Sequence, residues 1–129
     1  MNLGFVILYV RDMAASKAFY TDVLGMAVVE AVSGPTFVTL RADGGSFVAL
    51  QDKAKAIFPP KDEPGNGGVE LSFAVDDVDE TWRRWQARGV TLVSEPQDLP
   101  FGRYFMARDP EGYYLSVYRL APPPAAAGN

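Results

Sequence analysis

An α+β fold made of two tandem βαβββ modules with cupped mixed sheets is what this sequence predicts, on three observations. The first is an internal repeat: Glu70–Pro96, ELSFAVDDVDETWRRWQARGVTLVSEP, restates Phe5–Glu30, FVILYVRDMAASKAFYTDVLGMAVVE. Val10 matches Val75, Asp12 matches Asp77 and Glu30 matches Glu95, each 65 positions on, and self-similarity of this kind is weighed before any single element. The second is the order of signals inside the repeat: an alternating run ending in Val-x-Asp, a helical run stopped by glycine, then another alternating run. The third is that each copy is followed by two more alternating runs around a turn, Ala42-Asp43-Gly44-Gly45 in one and Asp109-Pro110-Glu111-Gly112 in the other.

Taken in order, Phe5–Val10 puts Val6, Leu8 and Val10 on an aliphatic face toward the coming helix and Phe5, Ile7 and Tyr9 on the other. Asp12 stands where an N-cap belongs. The helix is predicted to run to about Leu24, with Ala15, Phe19 and Val23 on one stripe and Gly25 as its left-handed stop. Ala27–Val32 reads as a strand, and Thr36–Arg41 with Ser46–Leu50 as a hairpin. Asp52–Gly68, with three prolines and three glycines, is no central strand or long helix. It is either a plain connection, anchored by Ile57 and Phe58, or a lid, the use to which long loops in compact domains are often put.

In the second copy Leu71, Phe73 and Val75 face the helix while Glu70, Ser72 and Ala74 face away. Asp77 and Glu80 form a capping box, Val78, Trp82 and Trp85 make the buried stripe, and Gly89 ends the helix. Val90–Glu95 reads as a strand, and Arg103–Arg108 with Tyr113–Tyr118 as the closing hairpin, its Pro and Gly placed as a type I turn wants them. One domain, 1–120, results: module one over about 3–51, a linker at 52–68 and module two over about 69–120. The tail 121–129, APPPAAAGN, has nothing to bury and is expected to be disordered or locally polyproline II. With each helix covering one face of a small sheet, the other faces are left for a ligand cavity.

Composition narrows the chemistry. The chain has 129 residues, a length that buries roughly two-thirds of the unfolded surface. Its net charge of −4 repels a nucleic-acid duplex or an anionic membrane, and no basic cluster offsets it. There is no run approaching ~18 apolar residues and no charged n-region before an apolar stretch, so a cytoplasmic location off the membrane is expected. Cysteine and histidine are both absent, which removes disulfides, thiolate nucleophiles and every Ser–His or Cys–His pair. Gly65-Asn66-Gly67-Gly68 lacks the Lys and Ser/Thr of a phosphate loop. The acids of Asp76-Asp77-x-Asp79-Glu80 are what a helix N-terminus favours without any bound cation.

Three segments carry a family resemblance: Tyr9-Val10-Arg11-Asp12-Met13 leading into Phe19-Tyr20-x-x-x-Leu24-Gly25, Val75-Asp76-Asp77-Val78 leading into the Trp82/Trp85 helix, and Gly102-Arg103-Tyr104-Phe105-x-x-Arg108-Asp109-Pro110-Glu111-Gly112. In their order and spacing they resemble the vicinal oxygen chelate superfamily, which groups glyoxalase I, extradiol dioxygenases, fosfomycin-resistance enzymes and bleomycin-resistance proteins. The likeness runs over roughly Leu3–Leu120. It implies the glyoxalase/bleomycin-resistance/dioxygenase fold, a homodimer, and a cavity in each cupped sheet. It also implies four inward metal-ligand positions, which fall here on Phe5, Ala49, Glu70 and Ser116. Of these only Glu70 is a good donor, whereas a divalent ion needs three or four at ~2.0–2.5 Å.

Two readings of Glu70 stay open at this point: a ligand-facing acid, or a structural partner of Arg103 or Arg119 or a plain exposed strand end. The residues expected to line the cavity are Phe5, Ile7, Phe47, Ala49, Glu70, Ser72, Tyr104, Tyr114, Ser116 and Tyr118. The expected function is non-catalytic binding, resembling the metal-free bleomycin-resistance branch and its role in antibiotic resistance, of a flat aromatic or cationic small molecule in a dimer cavity with no cofactor. The alternative is a metal-independent or divergent enzyme of the same superfamily with Glu70 as acid/base. If no metal site is linked to folding, EDTA leaves the melting temperature unchanged; a fall of several degrees, reversed by one particular divalent ion, contradicts this.

Overall fold

A computed structural model describes residues 1–61 and 68–122, and in them the sequence repeat becomes two curved mixed sheets. The chain divides into two compact units, Met1–Val69 with Asp109–Tyr113, and Glu70–Arg108 with Tyr114–Asn129.

In the first unit β1 (Val6–Val10), β2 (Ala27–Val28), β3 (Phe37–Arg41) and β4 (Phe47–Asp52) form a sheet in the order β1-β4-β3-β2, with β1 parallel to β4 and the other pairs antiparallel. The predicted alternation decides the core: Leu8, Val10, Val38, Leu40 and Leu50 are all buried on one face, and α1 (Met13–Ala18) packs against β4. Asp12 caps α1 as expected, its Oδ1 accepting from Ala15 N at 3.0 Å. Beyond Ala18 the helix widens into a π-helical turn over Phe19–Val23, where Leu24 N bonds Phe19 O and the Thr21 hydroxyl bonds back to Lys17 O at 2.9 Å. Gly25, at φ 71°, ends it.

The second unit has β5 (Glu70–Ala74), α2 (Val78–Ala87), β6 (Thr91–Leu92), β7 (Gln97–Leu99), β8 (Gly102–Arg108) and β9 (Tyr114–Leu120). Its sheet runs β5-β9-β8-β6, with β7 also on β8 and β5 parallel to β9. Phe105, Leu115 and Val117 are fully buried on the helix side, and Trp85 of α2 meets Phe105 edge to face at 5.4 Å between ring centres. Asp77 caps α2 through Glu80 N at 3.0 Å. Gly102 is obligatory, because a Cβ there would lie 2.1 Å from the Arg119 carbonyl oxygen. Among the described residues no helix is long and apolar enough to cross a membrane.

Four local expectations differ from the structure. Ala27–Val32 is a strand only over Ala27–Val28 and turns at Glu30–Val32, because the Ser33 hydroxyl takes over the ladder, accepting from Thr39 N at 2.9 Å and donating to Val29 O at 2.7 Å. Val90–Glu95 shrinks to Thr91–Leu92 because Val93 N and Ser94 N both bond the Met106 carbonyl, a bulge that ends the pairing. The strand β7 was not expected, since none of its residues is buried. It is held across the ladder by Arg103, which pairs with Asp98 at 3.0 Å and grips both Asp79 oxygens of α2 at 2.8 and 2.9 Å; these bonds keep the Asp79 carboxyl below its usual range. Ile57 and Phe58 do not anchor the connection, being 88% exposed each; the proline that follows disfavours a helix here and leaves no regular element to carry their side chains onto a sheet. Residues 62–67 of the proposed lid and 123–129 of the tail lie outside the described residues.

The polar centre of the first unit was not foreseen. Tyr20, fully buried, donates its hydroxyl to Asp109 Oδ2 at 2.8 Å, while Asp109 Oδ1 accepts from Glu111 N and Tyr113 N at 2.9 Å each. The Glu111 carboxylate accepts from Arg11 Nε at 3.1 Å and Asp12 N at 3.0 Å, and Tyr113 donates to the Tyr9 carbonyl at 2.8 Å. Burial pushes the Asp109 carboxyl above its ordinary range, against the hydrogen bonds from Tyr20 and from the turn backbone that pull it down. Burial, then the Asp109 charge, pushes the Tyr20 phenol well up, so it stays a neutral donor.

Tyr20→Phe is therefore expected to cost ~1–3 kcal/mol at neutral pH by leaving a buried carboxylate oxygen unpaired. It also removes a bond that favours the Asp109 anion, raising that carboxyl further. A carboxyl raised on folding contributes stability that is full below its unfolded value and lost as pH rises through its folded one. The cost of the substitution should accordingly shrink as pH falls toward about 4, the ordinary carboxylate range. Urea midpoints at the two pH values measure this, and an equal cost at both contradicts it.

Candidate functional site

In each unit the sheet face away from the helix is only partly covered, and strand alternation with ladder register assigns its residues. On the first sheet one row is Ile7, Ala49 and Thr39, a second is Tyr9, Gln51 and Phe37, and a third is Phe47, Arg41 and Ala27. Phe5 precedes β1, is 45% exposed, and meets the Phe37 ring edge to face at 6.2 Å. Ile7 and Phe47 are exposed, while Ala49 lies fully buried between its neighbours. Thr39 is sealed by its bond to Val32 O at 3.1 Å and Gln51 by bonds to Thr36 O and Asp52 O at 3.2 and 2.8 Å. A hollow of about 560 Å³ opens beside the third row, lined by Ala27, Val28, Val29, Arg41, Gly45 and Phe47.

On the second sheet the rows are Glu70, Tyr114 and Arg108; Ser72, Ser116 and Met106; and Ala74, Tyr118 and Tyr104. Arg108 lies over the Tyr114 ring, its guanidinium carbon 4.4 Å from the ring centre, with Nη2 donating to the Tyr114 hydroxyl at 2.6 Å. The Ser72 and Ser116 hydroxyls are 2.6 Å apart, Ser116 buried and Ser72 exposed. Glu70 is exposed at the start of β5 and makes no ion pair among the described residues. The two structural partners expected for it are engaged elsewhere: Arg103 with Asp79 and Asp98, and Arg119 with the Asp76 carbonyl at 3.0 Å.

Of the ten residues expected to line a cavity, Phe5, Ile7, Phe47 and Ala49 thus belong to the first unit's open side, and Glu70, Ser72, Tyr104, Tyr114, Ser116 and Tyr118 to the second's. Arg41, Met106 and Arg108 share these faces and were missed. Counting by twos from Phe47 and Tyr104 through the hairpin pairings would have found them; the search for donors and aromatics passed over them. The four metal-ligand positions implied by the family resemblance hold a phenyl ring, a methyl group, a hydroxyl already bonded to Ser72, and one carboxylate. That donor set does not fit a divalent ion. Among the described residues, no three acidic side chains are grouped to hold one.

Comparison with known proteins identifies the family. The chain is 34% identical over 104 residues to a putative glyoxylase of Mycobacterium tuberculosis, CFP32, covering 77% of this chain and 40% of that protein. It is 31% identical over 141 aligned positions to the anthracycline biosynthesis protein DnrV of Streptomyces peucetius, covering 99% of this chain and 45% of that protein. It therefore spans less than half the length of these relatives. The solution structure of protein ATC0852 from Agrobacterium tumefaciens superposes with a TM-score of 0.77 at 35% identity, over 95% of this chain and 99% of that one. A family model matches residues 2–117, and the chain belongs to the Glyoxalase/Bleomycin resistance protein/Dioxygenase superfamily.

Proposed function

We propose that this chain is a small-molecule binding protein that sequesters a flat aromatic or cationic compound on the open faces of its sheets, without a metal and as a homodimer, in the manner of the bleomycin-resistance members of its superfamily. The observation that carries the reading is the content of those faces. They offer aromatic rings with a small number of charged and hydroxyl groups, Arg41 on one and Glu70, Arg108 and Ser72 on the other, the mixture that small-molecule sites use, and the family's four ligand positions carry no metal-binding set. The similarity to DnrV, a protein named for anthracycline biosynthesis, supports a polycyclic ligand. A sheet face half-covered in the single chain is the kind of surface that a symmetric partner completes. Antibiotic resistance and a cytoplasmic setting follow as the biological expectation.

One observation favours a second reading. Glu70 is an exposed carboxylate in register with Tyr114 and Arg108, and CFP32 is named as a putative glyoxylase. A metal-independent enzyme of this family could use Glu70 as general base toward a bound carbonyl compound, with the neighbouring cation favouring the oxyanion that forms.

Glu70→Gln separates the two. Under the binding reading it should leave the urea midpoint within ~0.5 kcal/mol of the parent, as for surface changes generally, while weakening calorimetric affinity for a flat cation such as proflavine severalfold. Turnover of a 2-oxoaldehyde or its thiol adduct by the parent, abolished by Glu70→Gln, would establish the enzyme instead. Sedimentation at micromolar concentration should give twice the 14.1 kDa chain mass, and a monomer there contradicts the dimer.

A further inference from the structure

The middle row of the second sheet holds a hydrogen-bond count that does not close among the described residues. Ser72 and Ser116 together carry two hydroxyl protons, and their 2.6 Å contact uses one. Ser116 is 6% exposed and Ser72 is exposed. Either hydroxyl can be the donor, but a buried donor left unpaired is the costlier arrangement, which favours Ser116 donating to Ser72 and leaves the Ser72 proton for the open face. A hydroxyl that already accepts a bond is polarised by it and donates more strongly.

The surroundings give this donor a shape to work in. Ser72, Ala74 and Ser116 are short side chains and form a low floor. Tyr114 and Tyr118 rise from the same face of β9, four residues and so about 13 Å apart along the strand. A planar fused-ring compound laid on that floor lies between two aromatic walls and covers the Ser72 hydroxyl. Once covered, the hydroxyl loses water and must bond to the ligand or go unpaired.

We propose that Ser72, backed by Ser116, is the polar anchor of this face, and that it selects flat aromatics carrying an acceptor oxygen, such as a quinone or aryl ketone carbonyl, over the same ring system without one. The proposal rests on the reading of the chain as a binder of flat compounds, and it names the chemistry that the bound compound presents. Discrimination follows from the unpaired donor, since a site built to hydrogen-bond rejects the analogue that lacks the partner.

The test is calorimetric titration of the whole chain with 2-(aminomethyl)anthraquinone and with 2-(aminomethyl)anthracene, both as ammonium salts, which match in ring count and in positive charge. The parent should bind the quinone roughly tenfold more tightly, the worth of one well-made hydrogen bond. Ser72→Ala should bring the ratio close to one through lost quinone affinity, with a lower urea midpoint because the buried Ser116 hydroxyl loses its acceptor, and Ser72→Thr, which keeps a hydroxyl, should retain both the preference and the midpoint. Equal affinity of the parent for both probes overturns the proposal and leaves the flat-ligand reading standing. A preference that survives in Ser72→Ala removes Ser72 as its source. Binding of neither probe overturns the reading and the proposal with it.

Discussion

The hydroxyl of Tyr20 and the carboxylate of Asp109, 2.8 Å apart and shut away from water, are the constraint on which the first unit depends. A buried carboxylate is tolerable only when its lone pairs are met, and here one oxygen takes the phenol while the other takes two turn N–H groups. Those two bonds fix the path of the turn from Asp109 to Tyr113. That path in turn aims the Glu111 carboxylate at Arg11 and at Asp12 N, the residue that caps α1. The cap, the helix start and the turn are therefore one network, and a network fully satisfied rigidifies what it touches. The widened turn at Phe19–Val23 belongs to the same arrangement, because Tyr20 stands within it.

With the helix side of each sheet sealed, the contrast between faces becomes the functional feature. On the helix side Leu40, Leu50, Leu115, Val117 and Phe105 are sealed completely. On the other side Phe5, Ile7, Phe47 and Tyr114 keep between 37% and 45% of their surface. The exposed positions of the open faces therefore add little to the core, unlike Ala49, Thr39 and Ser116 beside them, and substitutions at those exposed positions are free to follow a ligand more than the fold. This is the condition under which one superfamily scaffold serves different chemistries.

How far the sequence disclosed this follows from where its information lies. The repeat, both caps at Asp12 and Asp77, and the glycine stops at Gly25 and Gly89 were legible because each is a local rule written in adjacent residues. The face assignments were legible because alternation has period two, which carried Phe47 and Ala49, or Tyr114, Ser116 and Tyr118, together. What was not legible depends on partners distant in the chain. Asp109 finds Tyr20 across 89 residues, and nothing near either one announces it. The strand β7 is exposed throughout and short, and it is held by Arg103 reaching Asp98, a cross-strand pair that hydropathy cannot reveal. The turns that shortened β2 and β6 depend on the serines Ser33 and Ser94, whose side chains or backbone divert ladder bonds in a way that residue type alone does not fix.

The same register explains why loss of metal donors need not leave the faces without selectivity. A metal fixes a ligand by strong, directional bonds to any suitable oxygen, whereas aromatic walls and a flat floor gain mostly from area, which favours every planar compound of the right size. Selectivity on such a surface has to come from a polar group whose desolvation is penalised when the wrong compound binds. One position of the second sheet where the family's pattern would place a donor holds Ser116, and its cross-strand neighbour is Ser72. The backbone geometry suited to holding a ligand atom thus still presents oxygen to the open face, now as a hydroxyl pair with one proton to give. The charge on this stretch of sheet is set by side chains at its edge, Glu70 on one side of Tyr114 and Arg108 on the other, so the middle row is electrically plain and a single neutral hydrogen bond is enough to tell two ring systems apart.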